Sequence, residues 1–150
     1  MRRIYLATGL VVALSILGLF TTVSLLEAQA APNIPLIAAG NLGIYSDKAC
    51  TQPLTSVNWG PVAPGSIVTQ TIYIKNLANY NQKLTLSTTN WNPTTLKGAI
   101  ALSWKMGRAR VDAGQTIAAN LTLTISPNAS GFTAFRVDVV ITGTSWGRVT

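Results

Sequence analysis

The sequence predicts an all-β fold: two antiparallel sheets of about seven strands packed face to face, behind one N-terminal apolar helix. Three observations carry this expectation. Apolar side chains recur at alternate positions along most of the chain beyond residue 40, the spacing of a strand with one buried face. Pro, Gly and Asn gather between those runs, where tight turns need them. No stretch beyond residue 27 repeats its apolar residues with helical spacing, so no substantial helix is expected there.

Taken in order, the chain begins with Arg2 and Arg3, then runs from Ile4 to Leu26 with no ionisable group but a neutral tyrosine. Ala28-Gln29-Ala30 follows. A basic start, an apolar stretch and a small-x-small exit describe a secretory signal peptide cut after Ala30. The run is also long enough for an uncleaved transmembrane anchor, which needs about 20 apolar residues. Either way Arg2 and Arg3 stay inside, and the rest lies outside, secreted or held at the cell surface. Residues 31–40, APNIPLIAAG, have two prolines and no charge, and read as an extended spacer. The sandwich is then expected over 41–150.

Within it, Leu42/Ile44 mark a first short strand. In 68–74 the inward set is Val68, Ile72 and Ile74, with Gln70 breaking it. Leu84/Leu86 and Ile100/Leu102/Trp104 repeat the pattern. In 116–126 the alternation is nearly unbroken: Ile117, Ala119, Leu121, Leu123 and Ile125 on one face, Thr, Asn and Ser on most of the other. In 133–142 the inward set is Phe135, Val137, Val139 and Ile141. Turn residues separate these runs at Pro64-Gly65, Asn79 to Asn81, Asn92-Pro93, Met106-Gly107, Ala113-Gly114 and Pro127-Asn128. The approaches Gly60–Ser66 and Gly107–Gln115 echo each other, each ending in Gly plus a small polar residue before a Thr-rich strand. They read as two equivalent corners.

The stretch WGPVAPGSIVTQTIYIKNLANYNQKLTLS, with Ile74 to Asn79 and Leu84-Thr85-Leu86 as its core, resembles the opening half of small extracellular immunoglobulin-like modules of archaeal and bacterial surface proteins. ARVDAGQTIAANLTLTIS resembles the second half, so the likeness covers roughly residues 41–143. It implies an immunoglobulin-like antiparallel β-sandwich and no activity. Ala78 stands where those modules usually have glycine. The arrangement is also similar to subunits of extracellular β-rich fibres and threads, in which the N-terminal strand of one copy completes the sheet of the next.

Charge and chemistry narrow the function. Beyond residue 30, nine Lys and Arg face three acids, Asp47, Asp112 and Asp138. That balance favours anionic neighbours such as acidic glycans. The densest basic stretch holds Lys105, Arg108 and Arg110. Gly143-Thr144-Ser145-Trp146-Gly147 spells the G-x-S-x-G string of a nucleophile elbow, but the chain has no histidine to take the serine proton. Three acids and one cysteine offer neither paired-carboxylate catalysis nor a metal site. No catalytic residue and no cofactor are therefore expected. Asp138 reads as the surface partner of Arg136.

Cys50, the only cysteine, cannot form an intrachain disulfide, so the core alone must hold the domain. Asn120-Leu-Thr122 and Asn128-Ala-Ser130 are N-glycosylation sequons placed on a polar strand face and a turn. Of the tryptophans, Trp59 and Trp104 fall on packing positions. Trp91, in Asn-Trp-Asn-Pro, reads as an exposed loop residue able to contact a sugar together with Lys105, Arg108 and Arg110. The expected product is an exported, non-catalytic structural or adhesive module, with surface proteins or its own copies as partners. A polysaccharide-binding module is the alternative, and nucleic acid is not expected.

Overall fold

A computed structural model describes residues 32–130 and 134–147. The expected apolar helix of residues 4–26 and the cleavage site at Ala30 lie outside the described residues. Among the described residues, no helix is long and apolar enough to cross a membrane. Nine strands follow in order: β1 (Asn33–Ala39), β2 (Leu42–Tyr45), β3 (Ser56–Asn58), β4 (Ile67–Asn76), β5 (Gln82–Asn92), β6 (Ile100–Met106), β7 (Arg110–Val111), β8 (Thr116–Ile125) and β9 (Arg136–Ser145). The described helical structure is one 3-10 turn, Thr94–Leu96.

They form two sheets in a sandwich-like arrangement, one in the order β3-β1-β9-β5-β7 and the other β2-β4-β8-β6. The alternation read from the sequence sets the core. Ile72 and Ile74 of β4, Leu121 and Leu123 of β8, and Val137, Val139 and Ile141 of β9 are fully buried. Each such side chain contributes about 1.5–3 kcal/mol relative to exposure. Thr69 and Thr122, and Thr71 and Asn120, meet on the opposite face of the β4–β8 ladder and hydrogen-bond to each other.

The two corners foreseen from the glycine echo are alike. In one, the Ser66 N–H donates to Ala63 O (2.9 Å), and Gly65 has φ 84°. In the other, the Gln115 N–H donates to Asp112 O (3.0 Å), and Gly114 has φ 71°. A turn with φ > 0 at its third residue takes glycine there without strain. One turn launches β4 and the other β8, which then pair with each other over most of their lengths.

Two expectations need correction. Residues 33–39 are not a spacer but β1, with Ile34 and Leu36 in the core. Its first half pairs antiparallel with β3, from Asn33↔Asn58 to Pro35↔Ser56. Its second half pairs with β9, from Leu36↔Val139 to Ala39↔Thr142, and this ladder is parallel. The sandwich therefore starts before residue 41 and is not wholly antiparallel. β1 ends at the same end of the sheet as β9, and there passes to the other sheet through the two-residue link Gly40-Asn41.

Candidate functional site

Three places hold side-chain chemistry that the core does not explain. The first is the link after β1. Gly40 and Asn41 both have positive φ, 85° and 55°, a conformation costly for a residue with a Cβ. The Gly40 carbonyl accepts a hydrogen bond from Nε2 of Gln82, a side chain with no exposed surface. Its other amide atom, Oε1, has no hydrogen-bond partner among the described residues and lies where a Cβ on Gly143 would sit. The first glycine of the G-x-S-x-G string thus makes room for a buried amide, and Ser145 continues β9 opposite Gln82.

The second place is the corner after β4. Asn76 is fully buried. Its Nδ2 donates to Tyr80 O (2.7 Å) and Val111 O (3.2 Å), while its Oδ1 accepts from the Ala78 N–H (2.9 Å). One side chain thereby closes the turn and ties it to β7. Ala78 has no positive φ, so alanine fits where glycine was expected.

The third is the outer face of the five-stranded sheet, at the end where β1 and β9 finish. Lys83 on β5 lies between Arg110 on β7 and Thr144 on β9. All three are exposed. Cross-strand neighbours on one face stand about 5 Å apart, and like charges there repel. Arg110 nevertheless does not turn away to solvent: its guanidinium carbon stacks 3.5 Å from the ring centroid of Trp146. Among the described residues no acid engages Lys83 or Arg110; Asp112 is taken by Arg108 at 3.5 Å.

The residues expected to bind glycan do not converge. Trp91 belongs to β5, is half-buried against the core, and donates from Nε1 to Thr88 Oγ1 (3.1 Å). It is not an exposed loop residue. Eight positions along the strand from Lys83, it lies roughly 26 Å from the basic end. Lys105 is exposed on the outer face of the other sheet, opposite Asn120. Only Arg108 and Arg110 stay close, and Trp146, 42% exposed, takes the place given to Trp91. Trp59 is buried, with no hydrogen-bond partner for its Nε1 among the described residues, and Trp104 packs against the core.

Asp138 is not the surface group expected. It is 5% exposed, and its Oδ2 accepts from Asn90 Nδ2 at 2.7 Å. The expected ion pair with Arg136 is present, Arg136 Nε standing 3.9 Å from Oδ1, a distance too long for a hydrogen bond. A register shift between Thr89 and Asn92, with Asn90 at φ 54°, bends β5 so that Asn90 reaches this carboxylate.

Asp47 instead ties a surface loop, accepting from Thr51 Oγ1 (2.7 Å), Thr51 N–H (3.0 Å) and Gln52 N–H (2.8 Å). The Thr51 hydroxyl first, and then the Gln52 N–H, hold its pKa below the ordinary carboxylate value. Cys50 is half-buried in the same loop, 3.4 Å from Thr116 Oγ1. Asn120 and Asn128 are both exposed, Asn120 accepting from Thr71 and Asn128 in the turn after β8. Among the described residues no three His, Cys, Asp or Glu side chains gather to hold a metal ion.

No protein-family model matches the chain, and no curated protein is significantly similar to it.

Proposed function

We propose that this is an exported, non-catalytic module of immunoglobulin-like build, with a structural, adhesive or accessory-subunit role at the cell surface, which associates with its own copies by exchanging β1. The order β2-β4-β8-β6 against β9-β5-β7 supports that build, with β1 completing the second sheet along β9.

The observation that carries the reading is the way β1 is held. It is the first strand of the domain and is continuous with the leading segment. It docks through backbone pairing and a short apolar stripe, Ile34 and Leu36, and a two-residue link of left-handed conformation joins it to the body. Short links under backbone strain favour exchange of a terminal strand between identical chains. The exchanged strand meets the same partners in the second copy, so the contacts are kept while the strain at Asn41 is released. Backbone ladders of this kind need no catalytic group and little side-chain specificity.

The test uses Ile37→Cys with Val140→Cys, a directly paired position on β1 and β9, in a full chain carrying Cys50→Ser. Oxidation is expected to join separate chains, seen as covalent dimers or longer species on a non-reducing gel. Crosslinks confined within single chains at every protein concentration would overturn the reading.

A further inference from the structure

We infer that the exposed face formed by Lys83, Arg110 and Trp146 is a binding site for an acidic polysaccharide. The inference does not depend on strand exchange, because it uses the outer face of the sheet and leaves β1 untouched.

Two cations on adjacent strands, directly opposite each other, repel, and evolution ordinarily separates or neutralises such pairs. Here Lys83 and Arg110 have no acidic partner among the described residues, and Asp112, two positions from Arg110, is held by Arg108. The repulsion is relieved when an anion bridges them. Trp146 gives the pair its geometry. The Arg110 guanidinium carbon stands 3.5 Å from the indole centroid, and a guanidinium held over a ring by its carbon keeps its N–H fork at the rim for a bidentate contact to a carboxylate or sulfate. Beside it lies a tryptophan 42% exposed, the surface against which the apolar face of a sugar ring packs. The hydroxyl of Thr144, next to Lys83, donates to Lys83 O (3.4 Å) and keeps its lone pairs as an acceptor for a sugar hydroxyl. A cationic fork and an ammonium on adjacent strands, with an aromatic plate against the fork, match a chain of sugars carrying acidic groups.

Position argues against a lipid surface. The leading hydrophobic segment joins the domain at Pro32, at the start of β1, whereas the site lies where β1 finishes. Seven residues of strand separate the two by roughly 20 Å. The sequence expectation of export argues for glycan over nucleic acid.

The test places the full chain in nanodiscs of zwitterionic lipid and measures binding of polygalacturonate, neutral dextran, phosphatidylglycerol vesicles and an oligo-dT strand. Polygalacturonate is expected to bind and to weaken as salt rises, and dextran to leave no signal. Lys83→Ala and Arg110→Ala each reduce affinity about tenfold or more, as loss of a charge-assisted hydrogen bond requires. Arg110→Lys keeps the salt dependence but binds more weakly, since a lysine does not present the stacked fork. Trp146→Ala weakens binding at high salt as well, where stacking is unscreened. Lys105→Ala and Trp91→Phe leave affinity unchanged. Equal binding of dextran, tighter binding of vesicles or oligo-dT, or indifference to Arg110→Ala and Trp146→Ala would each overturn the inference.

Discussion

At Asp47, one carboxylate accepts from two backbone N–H groups and a hydroxyl and so fixes the loop after β2. Because these bonds favour the ionised form, the folded pKa lies below the ordinary carboxylate value of 3.8. The stabilisation is therefore fully present above that value and is lost as pH falls through the lower, folded pKa. In an acid titration followed by nuclear magnetic resonance, the Thr51 and Gln52 amide shifts are expected to move together with a midpoint below 3.8. A midpoint at or above 3.8 would contradict the geometry. Gln82 shows the opposite economy. Its buried amide is bonded at Nε2 and, among the described residues, unbonded at Oε1, which occupies the space that Gly143 leaves open.

At the scale of elements, the corner between β4 and β5 rests on Asn76. Asn76→Ala leaves Tyr80 O, Val111 O and the Ala78 N–H without their partner, and is expected to cost about 3 kcal/mol. Urea denaturation measures it, and a loss below about 1 kcal/mol would show that the corner is held elsewhere. Strands with unbroken alternation, β8 and β9 above all, were readable directly from sequence, because one buried face leaves a period of two. β1 was not, although Ile34 and Leu36 carry the same signal, because two prolines and a lack of charge resemble a linker. The structure shows why a proline is tolerated there. The Leu36 N–H points to Thr55 O on the β3 side, so the nitrogen of Pro35 points the other way, where pairing with β9 has not yet begun. Trp91 was misplaced for a related reason. Asn-Trp-Asn-Pro has turn composition, but a bulge accommodates it inside β5. The Lys83–Arg110–Trp146 face was illegible, since its members are far apart in sequence and only cross-strand register joins them.

For the molecule as a whole, the fold class follows from composition and period, whereas cellular placement rests on the leading segment. If that segment is cut after Ala30, the protein recovered from cells has the mass of residues 31–150; if it anchors the domain, the full chain is found. Sugar at the exposed Asn120 or Asn128 adds to either value. Mass spectrometry of the native product is expected to show one of these two masses with or without glycan. A different N-terminus would remove the support for cleavage at Ala30. The parallel ladder between β1 and β9 bears on how the chain reaches its native state. The first strand to emerge from the ribosome or translocon has the last strand as its partner, about a hundred residues later. Such distant pairing closes late. Until β9 is made, the second half of β1 has no mate in its own chain, and on the proposed exchange a neighbouring chain whose β9 is already out offers an equal berth. Crowding of nascent chains would then set how many molecules end up joined.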